Sequence, residues 1–177
     1  TQDHPQFKTY AEELKWLTTD KVRMAWVAKT IKDISTSGNT LILVDRISAG
    51  EILQEQIEDA VFVSGSTKNV DRKEQYDEVS TATNKIIIAT YGVASVGINI
   101  PRIFNLVLIE PGKSFVRVIQ SIGRGIRKAE DKENVQIWDI TSSCKFAKRH
   151  LGARKKFYKE ANYPYTIEKI NYENPYT

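Results

Sequence analysis

The stretch TLILVD, residues 40–45, is the part of this sequence that decides the fold. It is a run of apolar and β-branched residues that ends at an aspartate, and it does not alternate with polar positions. Such a run is typical of a strand that is buried on both faces of a parallel sheet. Four further segments are also predicted strands: VFVSG (61–65), KIIIAT (85–90), NLVLIE (105–110) and VQIWDI (135–140).

Segments with helical spacing accompany these strands. They cover residues 10–17, 20–34, 48–59, 69–82 and 114–125. Asp20 is the predicted N-cap of the second helix, and Ser48 with Glu51 forms a predicted capping box at the third. The predicted buried side of the second helix consists of Val22, Trp26, Val27, Thr30 and Ile34. The pattern predicts an α/β fold in which helices cover both faces of a mostly parallel sheet, with ligands at the carboxyl ends of the strands.

The composition restricts the class of protein. A chain of 177 residues with 41% hydrophobic and 27% charged residues fits one globular domain with a real core. Cys144 is the single cysteine, which excludes an internal disulfide and a multi-cysteine metal site. The sequence has no apolar run of membrane length, so we expect no membrane partner. Because the first residue is Thr1 rather than methionine, we expect the chain to be part of a longer protein.

The basic residues are concentrated at the end of the chain. Residues 141–177 carry eight Lys or Arg against three acids, whereas residues 1–140 carry 18 against 19. The segment 142–165 is predicted to be helical as far as about Ala161. Its apolar side consists of Ala147, Leu151, Tyr158 and Ala161, and its basic residues off that side are Lys145, Lys148, Arg149, Lys155, Lys156 and Lys159. Such cations fit contact with nucleic-acid phosphates, and they equally fit a solvated helix face.

Four tyrosines follow the predicted end of this helix at about Ala161: Tyr163, Tyr165, Tyr172 and Tyr176. Tyrosine rings can stack on the bases of a nucleic acid. They can also cover an apolar core while the hydroxyl stays in contact with water, and we favour this second interpretation.

The stretch QSIGRGIRK, residues 120–128, carries two arginines three residues apart. On a helix, Gln120, Arg124 and Arg127 share one face because they stand at i, i+4 and i+7. Two guanidinium groups on one stripe suit a polyanion, most simply a triphosphate. The alternative is a pair of cations that interact with the dipole at a helix C-terminus.

The stretch ATYGVASVGINIP, residues 89–101, joins the end of a predicted strand to small residues. Small residues let the backbone approach a ligand closely, and backbone amides there can donate to phosphate oxygens. Thr90 adds a hydroxyl donor. A tight connection between a strand and a helix also needs glycines, so the stretch fits both interpretations.

Two short patterns look like phosphate-binding loops but lack required residues. GKS at 112–114 would need a glycine five positions before Gly112, where Val107 stands. GVASVG at 92–97 is followed by Ile98 and Asn99 instead of lysine and serine or threonine. The sequence also has no compact acidic cluster for Mg²⁺. If this protein handles a nucleotide, it supplies only half of the pocket.

In their order and spacing, these stretches resemble the second RecA-like domain of superfamily 2 helicases and translocases. QSIGRGIRK resembles motif VI of that family, Q-x-x-G-R-x-x-R, and ATYGVASVGINIP resembles motif V. LILVDRISAGEIL (41–53) is similar to motif IV, and VSGSTKNVDRKE (63–74) is similar to the segment between motifs IV and V. Within the superfamily, the sequence is most similar to phage recombination helicases of the UvsW type, over nearly all residues.

The resemblance implies a RecA-like three-layer domain over residues 1–140 and a basic, aromatic-rich helical extension packed on it over residues 141–177. It implies that an N-terminal RecA-like domain of the same protein holds most of ATP and Mg²⁺, so the fragment alone is expected to be inactive. The implied partner is DNA, single-stranded or branched duplex. The implied location is the cytoplasm of a bacterial cell or of a phage-infected host.

The resemblance also implies roles for individual residues. Arg127 would be the arginine finger, and Arg124 would be a second contact to the phosphates. The residues expected near the nucleotide are Gly97, Asn99, Gln120 and Gly123, and Asn99 stands where aspartate is common in the family. The residues expected near nucleic acid are Arg46, Ser64, Gly65, Thr90, Lys155 and Lys156.

The function implied by this resemblance is that of a C-terminal motor domain of an ATP-dependent DNA helicase or translocase. Its expected task is recombination, repair or the remodelling of branched DNA. One alternative is a non-catalytic scaffold module that binds nucleic acid and keeps the same fold. Another is the motor domain of an RNA helicase or a restriction translocase, because phosphate contacts discriminate poorly between nucleic acids.

Overall fold

The computed structural model describes residues 4–63, 84–95, 103–112, 115, 118–120 and 135–172. Within them, one sheet contains β1 (Thr40–Val44), β2 (Val61–Val63), β3 (Ile86–Thr90), β4 (Asn105–Ile109) and β5 (Gln136–Ile140). The strand order across the sheet is β2-β3-β1-β4-β5, and each neighbouring pair runs parallel. The five predicted strands are therefore confirmed.

The helices of the described residues are α1 (Tyr10–Thr19), α2 (Lys21–Ser35), α3 (Ile47–Gln56), α4 (Tyr91–Ser95) and α5 (Lys145–Glu160). They confirm the predicted helices at 10–17 and 20–34 and the helical basic segment. Asp20 caps α2 as predicted, because its carboxylate accepts from Arg23 N at 3.0 Å. The predicted helix at 69–82 lies outside the described residues.

The central strands of the sheet, β1 and β4, are buried on both faces. Leu41 and Leu43 of β1 belong to one apolar cluster, and Ile42 and Val44 belong to another. The first cluster contains residues of α4 and α5 together with Phe115, whereas the second contains residues of α2 and α3. Helices thus cover both faces, which confirms the predicted three-layer α/β architecture.

The buried side of α2 differs from the predicted one. Its buried apolar residues are Met24, Val27, Ala28, Ile31 and Ile34, which recur with the helical period. Of the predicted set, Val22, Trp26 and Thr30 are only half-buried. The buried side of α2 includes Arg23, which is 4% exposed. Sequence reasoning missed this because it did not treat a cation as part of a core face.

The start of α3 also differs from the prediction. Arg46 occupies the N-cap position without a side-chain hydrogen bond, so the predicted capping box of Ser48 and Glu51 is wrong. Ser48 stands inside the first turn of α3, which begins at Ile47, so it is too late in the chain to be the N-cap. The helix packs tightly against β2, since a Cβ at Gly50 would lie 2.3 Å from the ring of Phe62.

A buried glutamate connects α1 to α5. Glu13 is 0% exposed, and its two carboxylate oxygens accept from Phe146 N at 2.9 Å and from Ala147 N at 2.8 Å. Amides in the first turn of a helix have no partner within the helix, and negative charge at that end favours the helix dipole. The N-cap residue of α5, Cys144, makes no side-chain cap bond. A side chain of α1 therefore caps α5.

We expect Glu13→Ala to lower the free energy of unfolding by about 2–3 kcal/mol, because two buried amides lose their acceptor. The measurement is equilibrium urea unfolding of the purified chain. The matched control is Glu12→Ala, since Glu12 is exposed on the same helix turn, and we expect it to change the stability by less than about 0.5 kcal/mol. Equal effects of the two substitutions would contradict the capping role.

Candidate functional site

The carboxyl ends of the strands form one edge of the sheet, because the strands are parallel. At this edge, Asp45 and Arg46 follow β1, Thr90 ends β3, and Glu110 follows β4. The register pairs Val44 with Thr90, so Thr90 lies beside the end of β1, and Arg46 follows that end by two residues. The structure thus brings these two predicted residues to the same edge, which is the candidate site.

Thr90 ends β3 and caps α4. Its Oγ1 accepts from Val93 N at 3.2 Å, and the hydroxyl hydrogen remains for an acceptor outside that turn. Among the described residues, a Cβ at Gly92 would meet only Thr90 Oγ1, at 3.8 Å. Packing against these residues therefore does not require glycine at position 92. Its absence of a side chain leaves the surface next to the Thr90 hydroxyl open.

Arg46 is exposed and forms a weak ion pair. Its Nε lies 3.4 Å from Asp45 Oδ2, and the two side chains are 43% and 38% exposed. Exposed pairs of this kind contribute little to stability because water and salt screen them. Arg46 can therefore exchange Asp45 for another anion, such as a phosphate oxygen, at small cost.

Glu110 is neutralised inside the protein. Its buried carboxylate contacts the guanidinium of Arg23 and accepts from Thr141 Oγ1 at 3.3 Å. Arg23 also donates to Thr141 O at 3.2 Å. Burial raises the pKa of Glu110, and the neighbouring Arg23 opposes that rise. The carboxylate serves the connection between α2 and β4, and it is not available to a ligand.

A second buried ion pair attaches α5 to β5. Arg154, which is 1% exposed, donates through Nε and Nη2 to the two carboxylate oxygens of Asp139, at 2.7 and 2.9 Å. Its Nη1 donates to Pro111 O at 2.8 Å. Tyr158 also donates to Asp139, at 2.8 Å, and burial together with that carboxylate raises the pKa of Tyr158.

Sequence reasoning missed Arg154, although the sequence contains a signal for it. Arg154 stands three residues after Leu151 and four before Tyr158, so it falls within the predicted apolar side of the helix. A cation in an apolar stripe indicates a buried partner of opposite charge. That partner, Asp139, can be recognised only once β5 and α5 are packed together.

The predicted nucleic-acid residues of α5 differ in exposure. Lys156 is exposed, whereas Lys155 is half-buried. The other cations predicted to lie off the apolar side are exposed: Lys145, Lys148, Arg149 and Lys159. This arrangement leaves both interpretations of the basic helix open, phosphate contact and a solvated face.

The tyrosines that follow α5 also differ. Tyr172 is half-buried and stacks on Trp26 at 5.0 Å between ring centroids. Tyr163 and Tyr165 contact the rings of Phe157 and Tyr158, yet they remain 44% and 47% exposed. Tyr172 fits the predicted covering role, whereas the other two cover the domain only in part. Tyr176 lies outside the described residues.

Several predicted site residues lie outside the described residues: Ser64, Gly65, Gly97, Asn99, Gly123, Arg124 and Arg127. Gln120 is described, and it is helical and exposed, with Val118 and Ile119 buried beside it.

The described residues do not fit a Mg²⁺ site. They contain no group of three or more His, Cys, Asp or Glu side chains that could hold a metal ion. Glu110 and Asp139, which lie at or near the carboxyl edge, are each bound to a buried arginine. Among the described residues, Arg46, Thr90, Lys155 and Lys156 are the candidates for contact with a nucleic-acid phosphate, and Gln120 is the candidate expected near the nucleotide.

No helix in the described part of the chain has both the length and the apolar character needed to cross a bilayer.

This parallel, helix-covered sheet defines a RecA-like α/β domain. Residues 22–129 match the helicase conserved C-terminal domain, and the chain belongs to that family. The matched range includes both ATYGVASVGINIP and QSIGRGIRK.

Two known proteins illustrate the similarity. The ATP-dependent DNA helicase uvsW of Enterobacteria phage T4 is 30% identical over 180 residues, which cover 93% of this chain and 36% of that protein. The crystal structure of T4 UvsW matches 86% of this chain and 35% of its own with a TM-score of 0.73 at 25% identity. The C-terminal domain of the DEAD-box protein Dbp5 shares the fold, with a TM-score of 0.56 at 19% identity over 88% of this chain and 83% of that chain. This chain thus spans about a third of the T4 helicase.

We expect Arg23→Met to destabilise the domain by about 3–5 kcal/mol near neutral pH, because Glu110 is left buried without its cation. Without Arg23, burial raises the pKa of Glu110 further. Glu110 then binds a proton more tightly in the folded protein than in the unfolded chain. The stability lost in Arg23→Met therefore grows as pH rises through that pKa and becomes smaller as pH falls.

The measurement is urea unfolding of variant and wild type at about pH 7.5 and about pH 5.5, compared as a difference at each pH. Lys29→Met, on the exposed side of α2, is the control, with an expected change below about 0.5 kcal/mol at both values. If the loss of stability in Arg23→Met were not smaller at the lower pH than at the higher one, the role assigned to Glu110 would be contradicted.

Proposed function

We propose that this chain is the C-terminal motor domain of an ATP-dependent DNA helicase or translocase of superfamily 2. The observation that carries the proposal is the family match over residues 22–129, since that range contains both stretches with phosphate-binding character. The T4 relative is an ATP-dependent DNA helicase, which supports ATP as the substrate and DNA as the partner. We further propose that residues 1–140 form the RecA-like domain and residues 141–177 its extension.

In this proposal, Arg127 is the arginine finger and Arg124 a second contact to the phosphates. Negative charge develops on the γ-phosphoryl group as it is transferred to water, and a guanidinium placed there neutralises it. Gln120 is exposed, and in this proposal it orients the segment that carries the two arginines. Gly97, Asn99 and Gly123 lie near the nucleotide. An N-terminal RecA-like domain of the same protein supplies the phosphate-binding loop and the ligands of Mg²⁺.

The carboxyl edge contacts the DNA backbone in the same proposal. The Thr90 hydroxyl donates to a phosphate oxygen, and Arg46 leaves Asp45 to pair with phosphate. Ser64 and Gly65, which come directly after β2 in the sequence, are proposed as further contacts, and Lys155 and Lys156 add charge from α5. ATP bound between the two domains favours a closed arrangement of the domains, and hydrolysis allows them to open. The contacts with the DNA strand therefore change in each cycle.

The proposed task is recombination, repair or the remodelling of branched DNA, on single-stranded or branched duplex substrates. The T4 relative is a DNA helicase, which supports DNA over RNA as the nucleic acid on which this motor acts. The proposed location is the cytoplasm of a bacterial cell or of a phage-infected host.

The test of the proposal is Arg127→Ala in the full-length protein. We expect the DNA-stimulated rate of ATP hydrolysis to fall on the order of 10³-fold or more, because the transition-state charge loses its cation. Binding of single-stranded DNA, measured by fluorescence anisotropy, should stay within about twofold, because the backbone contacts belong to other residues. Lys29→Ala is the control, because Lys29 is an exposed cation of α2 to which no role in the site is assigned.

Two results would contradict this function. Hydrolysis at the wild-type rate in Arg127→Ala would remove the arginine finger. Loss of DNA binding in Arg127→Ala, with no hydrolysis in either protein, would favour the non-catalytic scaffold module. If RNA stimulated hydrolysis more than DNA, the chain would still be a motor domain, but its nucleic-acid substrate would be RNA.

We also expect the isolated 177-residue chain to show no appreciable hydrolysis of ATP, because the phosphate-binding loop and the metal ligands lie elsewhere. The measurement is phosphate release by the purified chain with and without DNA. Turnover that co-purifies with the chain and is lost in Arg127→Ala would contradict the division of the site between two domains.

A further inference from the structure

The segment 110–112, here called the β4 loop, is held by helices on several sides. Glu110 adopts a left-handed conformation with φ of 45°, which turns the chain sharply at the end of β4. Arg23 of α2 contacts its carboxylate. A Cβ at Gly112 would lie 2.9 Å from Tyr10 Oη of α1. Two helices thus enclose the two ends of the β4 loop.

A third helix, α5, holds the middle of the β4 loop. Arg154 donates to Pro111 O at 2.8 Å, and Pro111 itself is buried. Nε and Nη2 of the same guanidinium bind both oxygens of Asp139, so its plane is defined by three hydrogen bonds. Such a fork provides orientation as well as energy. The position of the Pro111 carbonyl is therefore coupled to β5 through Arg154.

Helix α5 also contacts Phe115, a helical residue that follows the β4 loop. Phe115, which is 4% exposed, packs edge-on against Phe157 at 5.2 Å and against Tyr158 at 5.8 Å between ring centroids. Both rings belong to α5. Pro111 and Phe115 are thus both held by a single helix of the basic extension.

Arg154 has a different role from the exposed cations of α5. It is 1% exposed, so it cannot reach a DNA phosphate. A buried ion pair is also weak evidence for stability, since apolar residues of similar volume often replace such a pair without loss. The property that apolar residues cannot reproduce is the directed hydrogen bond to the Pro111 carbonyl.

We infer that Arg154 is a positioning residue for ATP hydrolysis. In the sequence, Phe115 is followed by Gln120, Arg124 and Arg127, and the inference rests on the function proposed above for Arg127. By fixing the β4 loop, Arg154 sets the place from which this arginine-bearing segment starts. The basic extension then contributes to hydrolysis through its buried face, whatever its exposed lysines bind.

The experiment uses Arg154→Lys in the full-length protein. Lysine keeps the charge beside Asp139 but cannot donate to Asp139 and Pro111 in the planar geometry of the fork. We expect kcat of the DNA-stimulated hydrolysis to fall about tenfold, because small displacements of a catalytic group are costly. The KM for ATP and the DNA concentration for half-maximal stimulation should stay within about twofold, since other residues set them. The control is Glu160→Gln, an exposed residue of the same helix, with kcat unchanged.

A double-mutant cycle separates positioning from general damage. We expect Arg154→Lys to lower the single-turnover rate less than about twofold when Arg127 is already alanine, because the group that it positions is gone. An equal fold-loss in both backgrounds, a wild-type kcat, or a change in KM or DNA affinity alone would overturn the inference. A wild-type rate in Arg127→Ala by itself would instead contradict the proposed function.

A second variant keeps the test decisive if Arg154→Lys does not fold, which thermal unfolding monitored by circular dichroism would reveal. Asp139→Asn keeps the side-chain volume and weakens the bonds that orient the guanidinium. We expect the same pattern, with lowered kcat, unchanged KM and a loss that vanishes in the Arg127→Ala background. Additive losses there would overturn the inference as well.

Discussion

The buried ion pair between Arg154 and Asp139 is the constraint on which the carboxyl edge of this domain depends. One guanidinium binds both oxygens of a carboxylate on β5 and a backbone carbonyl after β4. Since β5 is the outermost strand of the described sheet, the pair is also what attaches α5 to that side of the sheet. Breaking it would leave a charge without its partner inside the protein, which is far costlier than never having buried the pair.

The N-terminus and the middle of α5 are held by different elements. Its N-terminus is capped by Glu13 of α1, and its central residues contact β5 and the β4 loop. The basic extension is therefore part of the structure of the edge, although its composition alone indicates a solvated helix that binds anions. Arg23 and Arg154 also neutralise Glu110 and Asp139, so the polar groups that remain open at the edge include Arg46 and Thr90. This distribution of charge suits phosphate, as expected for a member of the helicase conserved C-terminal domain family.

The sequence predicted the sheet better than the contacts of the helices. Runs such as TLILVD predict a strand that is buried on both faces, and this prediction does not depend on which helices pack against the strand. The buried side of α2 and the first turn of α3 were predicted wrongly, because each depends on what the helix meets. Arg23 is buried with Glu110 opposite it, and Gly50 of α3 packs directly against Phe62 of β2.

The sequence by itself determined the class of fold, the order of the strands along the chain and the two stretches that indicate a phosphate-binding partner. These properties follow from short-range patterns: apolar runs, helical spacing, and arginines and glycines at fixed intervals. Only the tertiary structure decided which charges are buried and which are open, because Arg23 with Glu110, Arg154 with Asp139, and Glu13 with the start of α5 join residues far apart in the chain. Each of these charges is tolerated in the core only by virtue of a partner that folding brings to it.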